Sequence, residues 1–277
     1  MNTSPAPTPP LDERSLALRR LVTRALQRSG RGHPGPALSV MEILRVLFDE
    51  VLRYDPRQPR WPLRDRFILS KGHGCLGLYA LLADKGFISV ELLDGFCDLE
   101  SPIGGHPELG RIPGVEASTG ALGHGLPMGA GMALAARLRR QDHRVFVLMG
   151  DGEIDEGSVW EAAMFATKHR LDNLVALVDY NKLQSYGRVS EVLELEPLAD
   201  KWTAFGFSVR EVDGHDLQAL GQVLRALPFT PGRPSLVLCH TIKGRGIPEM
   251  ENNPEWHHKN RLVADDLAAM HRALEGR

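Results

Sequence analysis

Cysteine is scarce in this chain: Cys75, Cys97 and Cys239 form an odd set with no C-x-x-C spacing. That argues against a disulfide framework and against a structural zinc site, and fits free thiols in a reducing compartment, the cytoplasm. An excess of charge of one sign is also missing. A formal net charge of -2 offers no general attraction to nucleic acid or to an anionic membrane. No apolar run approaches the ~20 residues of a membrane-spanning helix, and the polar, proline-rich stretch Met1 to Pro10 lacks the apolar core of a signal peptide. Residues 1–10 read as a disordered tail ahead of one domain over residues 11–277, with neither an internal repeat nor a linker to divide it.

Two nucleotide signatures are absent. In Gly150-Asp151-Gly152-Glu153-Ile154-Asp155 an aspartate stands where a dinucleotide fingerprint needs its third glycine, and no G-x-x-x-x-G-K-[ST] phosphate loop occurs. What is present is an alternation of apolar strands and amphipathic helices. Strands are expected at Arg66 to Leu69, Val145 to Met149, Val175 to Val178, Ser208 to Val212 and Leu236 to Leu238. Helices are expected at Leu11 to Arg28, Ala37 to Val51, onward from Gly74 through Leu82, Gly125 to Leu138, Ser158 to His169 and Leu217 to Leu227. The small residues of Gly125 to Leu138 predict a deeply buried helix. The pattern is a doubly wound α/β fold, a mostly parallel sheet with helices on both faces, whose ligand sites lie beyond the carboxyl ends of the strands.

Asp151 and Asn181 fall at two such ends. An Asp carboxylate, an Asn carbonyl and a backbone carbonyl are hard donors, too few to fill an octahedron, and suit Mg²⁺ shared with a phosphate-bearing cofactor. Asp151, Glu153, Asp155 and Glu156 crowd an expected helix start, where a bare diphosphate would be repelled without a cation between. The plainer alternative is that Asp155 and Glu156 complement a helix dipole while Asp151 ends a strand. Histidines beside glycine and proline add a second signal: His33, His73, His106 and His124 sit in loops that let a ligand approach closely. None has the i, i+4 helical spacing of a zinc enzyme, so proton shuttling and hydroxyl or anion binding are the roles left to them.

Six segments taken together, Ser70-Lys71-Gly72-His73, Gly105-His106-Pro107-Glu108, Ser118-Thr119-Gly120-Ala121-Leu122-Gly123, Gly150-Asp151-Gly152, Asp179-Tyr180-Asn181-Lys182-Leu183-Gln184 and Ile242-Lys243-Gly244-Arg245-Gly246, resemble the thiamine-diphosphate-binding half of the transketolase family. The resemblance runs from about Leu11 to the C-terminal region. It implies thiamine diphosphate with Mg²⁺, or Ca²⁺ in substitution, and transfer of a two-carbon ketol unit between sugar phosphates. Position by position it implies Asp151, Asn181 and the Leu183 carbonyl as metal ligands and Gly152 beside the diphosphate. Lys71, His73, Lys243 and His257 would line the diphosphate or the reacting carbons, Gly120 and Leu122 the aminopyrimidine, and His33 and His106 the donor sugar. Glu156, counted with the cofactor-binding positions, and Glu161 would belong to a carboxylate network that crosses the subunit interface toward the cofactor-activating glutamate.

The departures from that pattern are Pro36-Ala37, Tyr186-Gly187 and His258 to Asn260, the last of which softens the role of His257. The pyrimidine-binding region, which in the family donates the cofactor-activating glutamate, has no counterpart here. The expectation is therefore the first subunit of a split transketolase, silent alone and completed by a C-terminal subunit carrying that region, in an α2β2 arrangement. Two alternatives stay open: a subunit of another thiamine enzyme, such as a deoxyxylulose-phosphate synthase or a 2-oxo acid dehydrogenase, and a non-catalytic scaffold. His33, His73 and His106 favour a polyhydroxylated donor over a simple oxo acid.

Overall fold

Three central strands set the frame, and their burial explains why they form. Val145–Gly150 (β2) and Leu174–Tyr180 (β3) are buried at every residue, the near-continuous apolar run of a strand covered on both faces. Arg66–Leu69 (β1) pairs with one side of β2, and Ser235–His240 (β5) with the far side of β3. Ser208–Asp213 (β4) closes the edge, giving the order β1-β2-β3-β5-β4 with every pairing parallel. A computed structural model describes residues 9–275 of the chain, so the tail expected over residues 1–10 falls almost entirely outside the described residues.

The helices divide between the two faces. Glu13–Ser29 (α1), Pro34–Ser39 (α2), Met41–Val46 (α3), Cys75–Asp84 (α4), Leu217–Arg225 (α9) and Ala264–Leu274 (α10) share one apolar core with Phe67, Phe146, Leu148 and Leu177. Gly125–Leu138 (α5), Gly157–Lys168 (α6) and Leu198–Ala204 (α8) share the other with Val145, Val147, Ala176 and Leu236. A short turn of helix, Val189–Val192 (α7), lies between β3 and α8. Alternate residues of β2 thus feed opposite cores, as the pleat requires. The doubly wound parallel architecture expected from the alternation of elements is the one observed, and Cys75, Cys97 and Cys239 are free thiols. Among the described residues no helix is long and apolar enough to cross a membrane.

Three local expectations differ from the structure. The helix expected at Ala37 to Val51 begins earlier, at Pro34, because proline fits a first helical position. It breaks at Val40 and ends in a π-turn over Leu47–Val51. The helix α5 is buried on one face only: Gly129 lies against β2, where an added Cβ would come within 2.5 Å of Val147 Cγ2, whereas Gly131 faces open space and Leu138 is 76% exposed. The small residues permit close approach to the sheet rather than burial all round. Finally α10, not anticipated, docks through Met270 and Leu274 and is tied to α1 by Arg20, whose Nε and Nη2 donate to the Leu274 carbonyl at 3.0 and 2.7 Å.

Gly129→Val should therefore lower unfolding stability by about 1–3 kcal/mol through overpacking against β2. Gly131→Ala, two residues on, should raise it by about 0.5–1 kcal/mol. Urea unfolding of the two variants checks both signs, and equal effects at the two positions would contradict the one-faced burial of α5.

Candidate active site

Buried charge is concentrated where the strands end. Asp179, the sixth residue of β3, has no access to solvent and must be satisfied from within. Lys71, just past β1, supplies a countercharge through a direct ion pair in which both side chains are at most 1% exposed. Ser39 Oγ of α2 donates to Asp179 Oδ2 at 2.6 Å, Asn181 Nδ2 donates to the same oxygen at 3.0 Å, and Thr241 Oγ1, just past β5, donates to Oδ1. Burial alone would raise the Asp179 pKa, but the Lys71 charge and these hydrogen bonds hold it below the usual carboxylate value. One carboxylate thereby joins the ends of β1, β3 and β5 to the start of α2.

Asp151, directly after β2, is also buried. Its Oδ1 accepts from Gly152 N at 2.8 Å and its Oδ2 from Lys182 N at 2.5 Å, so the carboxylate abuts the 181–183 turn. Lys182 holds a left-handed φ of 66° that shapes this turn. The Asn181 side-chain carbonyl accepts from Leu183 N at 3.1 Å, and Leu183 presents its own carbonyl to Lys243 Nζ at 2.7 Å. The three expected metal ligands are thus brought together around one turn. Burial, and then the nearby Asp179, push the Asp151 pKa up to about 6. Among the described residues no lysine or arginine forms an ion pair with Asp151, and no three His, Cys, Asp or Glu side chains converge to hold a metal. A buried carboxylate without its own cation, beside two uncharged oxygens, fits a divalent ion that draws its remaining ligands from a phosphate.

The histidines meet above this floor. His33, immediately before α2, has its ring 5.7 Å from His73, 6.0 Å from His106 and 5.8 Å from His257. His73 lies 5.2 Å from His257, and His258 stacks on His33 at 4.3 Å. Burial and then neighbouring positive charge depress these imidazoles: His33 to about 4, with His258 and His106 the largest charge contributors, and His257 to about 3, through burial and then Lys243. His73 falls well below its ordinary value through burial and Lys71, and His106, at the rim, falls through partial burial and His258. Near pH 7 the inner imidazoles are neutral, each with one donor and one acceptor nitrogen. Lys243 Nζ lies 2.8 Å from His257 Nδ1, which assigns acceptance to Nδ1 and leaves the proton on Nε2. Burial, then Lys71, lower the Lys243 pKa to about 8.

Glycines set the close approaches. A Cβ on Gly35 would lie 2.8 Å from the Trp256 carbonyl oxygen, and one on Gly72 the same distance from Gly120 N. Gly120, at φ 137°, lets the His106 ring lie on its backbone, since a Cβ there would meet His106 Cδ2 at 2.8 Å. Leu122 is half-buried nearby and Gly152 packs against Gln184.

Some expectations are corrected here. Glu153 does not crowd an anion: it is turned inward, accepting from Gly123 N at 3.0 Å, Gly150 N at 3.1 Å and the Ser70 hydroxyl. His124 stays apart, exposed, with Nδ1 3.0 Å from the Leu122 carbonyl. Glu156 and Glu161 are exposed, at the cap and on the outer face of α6, a placement that leaves the expected network toward another subunit open. Asp179, Ser39, Thr241 and His258 were not anticipated as part of the site. Asp179 carried a signal nonetheless, as a charged residue inside an otherwise apolar strand.

Comparison with known proteins gives one consistent result. Residues 12–276 match the family model described as "Transketolase, thiamine diphosphate binding domain". The chain is 43% identical over 240 residues to one of the subunits of the apulose-4-phosphate transketolase of Phocaeicola vulgatus, covering 87% of this chain and 85% of that protein. It is 42% identical over 236 residues to the 6-deoxy-6-sulfo-D-fructose transketolase subunit SqwG of a Clostridium species, covering 85% and 86%. Its fold superposes on transketolase from Leishmania mexicana with a TM-score of 0.87 at 33% identity, over 95% of this chain but 41% of that one.

The pKa of Asp151 yields a signed prediction for the isolated chain without metal. Between the unfolded value near 3.8 and the folded value near 6, the folded state binds the extra proton, so stability from this group falls as pH rises through that window. The difference in melting temperature between Asp151→Asn and the parent should therefore grow in the variant's favour from pH 4 to pH 7. A difference that stays flat across that range would show that Asp151 carries no such strain.

Proposed function

The chain belongs to the transketolase family, and on that premise we propose that it is the diphosphate-binding subunit of a two-chain transketolase, its residues 11–277 forming one diphosphate-binding domain. The observation that carries this reading is the buried Asp151 carboxylate, lacking a cationic side chain of its own and seated against the Asn181–Leu183 turn. Asp151, Asn181 Oδ1 and the Leu183 carbonyl would hold Mg²⁺, or Ca²⁺ in its place, and Gly152, Lys71 and Lys243 would face the diphosphate. Gly120 and Leu122 would meet the aminopyrimidine through their backbones. Thiamine diphosphate, when bound, supplies the carbon nucleophile that carries a two-carbon ketol unit.

This chain's part is to bind, orient and move protons. Lys243 donates to the Leu183 carbonyl in the structure, and a divalent ion at that carbonyl would compete with it, turning the ammonium toward an anion. His33, His73, His106 and His257, neutral and able both to donate and to accept, suit the hydroxyls of a ketose phosphate and can relay a proton at its carbonyl and C3 oxygens. Neutrality matters: imidazolium rings at these separations would repel one another and the two lysines. The histidines form one wall of the site, leaving the sugar and the cofactor ring to be enclosed by a second chain.

Relatives covering this chain almost end to end are named as transketolase subunits, which supports a partner. The partner would carry the pyrimidine-binding region, in an α2β2 assembly working on sugar phosphates in the cytoplasm. The outer face of α5 and α6 is the surface proposed to receive it. There Leu138 of α5 and Met164 of α6 are 76% and 55% exposed, large apolar side chains that a second chain would cover, and Glu156 and Glu161 of the α6 end are exposed as well.

Ketol transfer assayed with this chain, a co-expressed chain carrying a pyrimidine-binding domain, thiamine diphosphate and Mg²⁺ should show turnover with a ketose phosphate donor. It should show none with either chain alone. Turnover by this chain alone would overturn the divided site, and exclusive use of pyruvate would replace the transketolase reading with another thiamine enzyme. Met164→Arg together with Leu138→Arg should weaken partner binding by at least about tenfold, ~1.4 kcal/mol. The same pair should shift the stability of the isolated chain by less than ~0.5 kcal/mol per site. Titration calorimetry and urea unfolding separate the two effects.

A further inference from the structure

Outside the histidine cluster lies a second group of buried charges that ligand binding as described does not use. Glu42 of α3, with no solvent exposure, accepts from Ser15 Oγ at 2.8 Å, Arg19 Nη1 at 2.7 Å, Arg19 Nη2 at 3.0 Å and His215 Nδ1 at 2.8 Å. Arg19 of α1, equally buried, places all five of its N–H donors: two on Glu42, one on the Ser15 carbonyl at 3.2 Å, one on the Leu38 carbonyl at 3.2 Å, and Nε on the Arg245 carbonyl at 2.8 Å. His215 faces the other way as well. Its Nε2 accepts from the Ile242 backbone N–H at 2.8 Å, and a backbone N–H can only donate, so Nε2 is the lone-pair nitrogen and Nδ1 the donor to Glu42.

The two outer contacts bracket a two-residue stretch, Lys243-Gly244. His215 holds Ile242 on one side and Arg19 holds Arg245 on the other, with Gly244 N donating to the Gly35 carbonyl at 3.1 Å between them. Of the two, Lys243 carries the side chain that faces the site, its ammonium touching both the Leu183 carbonyl and His257. The turn that presents His215 is built for the purpose. Asp213 Oδ1 accepts from His215 N at 2.8 Å, Asp216 caps α9 through Ala219 N at 3.0 Å, and a Cβ on Gly214 would collide with Thr241 Cγ2. Asp213-Gly214-His215-Asp216 is thus pressed under the strand end that leads into Lys243.

We propose that Arg19, Glu42 and His215 are positioning residues that fix the backbone on either side of Lys243 and so aim its ammonium at the cofactor's anionic end. A fully hydrogen-bonded buried ionic network has discrete geometry, whereas an apolar core at the same place would let the loop slide. Glu42 orients both arms at once: it accepts the Arg19 fork and the His215 Nδ1 proton, and so sets which imidazole nitrogen is free for Ile242. This inference rests on the thiamine diphosphate reading given above.

The test uses the full chain with its partner and saturating Mg²⁺, reading the thiamine diphosphate Kd by calorimetry. His215→Phe keeps ring volume but removes both hydrogen bonds, and should raise Kd at least tenfold. His215→Gln, which retains a donor and an acceptor on one amide, should recover most of that loss. Leu171→Ala, a truncation in the other core just ahead of β3, at the opposite end of the sheet from the loop, should lower the melting temperature yet leave Kd within twofold. Arg19→Lys, which keeps the charge beside Glu42 but loses the Nε contact, should raise Kd about fivefold and carries the test if His215→Phe does not fold. Equal Kd values for the parent, His215→Phe and Arg19→Lys would overturn the positioning role, as would a Leu171→Ala loss as large as theirs. No binding by the parent itself would instead remove the cofactor reading beneath it.

Discussion

The buried pair of Lys71 and Asp179 is the constraint on which the rest of the site depends. A carboxylate at the end of the central strand, with no water to solvate it, is tolerable only with a cation and several donors in place. Those donors come from α2, from the residue after β5 and from Asn181, so satisfying one charge draws together the elements that carry the oxygens proposed as metal ligands, the first histidine and the second lysine. Removing a partner would leave a charge unpaired in the interior, which binds the assembly of the fold to the assembly of the site.

Around that pair the electrostatics are arranged in two layers. The floor holds the lysines and aspartates, with Asp151 placed where burial and Asp179 disfavour its charge. The walls hold imidazoles that burial and the lysines keep neutral. Such an arrangement carries unrelieved strain in the floor, and a divalent cation with an anionic ligand would relieve it. The strain at Asp151 and the ligand affinity proposed for the site would have a common origin, as expected where a functional site departs from what stability alone would favour.

A division of labour between faces follows from the sheet. The core that contains α1 to α4, α9 and α10 houses the Arg19–Glu42–His215 network and supports the loops from behind. On the side of the core that contains α5, α6 and α8, Leu138 and Met164 are turned to solvent. One face supports the site, and the other is the one proposed to receive a second chain; relatives of similar length are named as subunits.

The strands and most helices were legible in the sequence because periodicity and apolar runs are short-range properties: β2 and β3 announce themselves as buried strands, and Gly150-Asp151-Gly152 with Asn181 reads as an oxygen-rich pair of strand ends. The histidines in glycine-rich loops were visible for the same reason. Their convergence was not. His124 has the same local setting as His73 and stands aside, while His258 has no such setting and stacks on His33, because membership depends on where loops far apart in the chain return in space. Glu153, in sequence one of four acids beside a phosphate site, is claimed by Ser70 and two backbone amides. Ser39 reaches Asp179 across 140 residues, and the His215 turn reaches the loop of Lys243 from a different crossover. The residue inventory and the order of the elements are thus local facts that the sequence alone determined. Which side chains share a charge, a proton or a ligand was decided only by the tertiary structure, because the sheet's register and the burial of its ends set those distances.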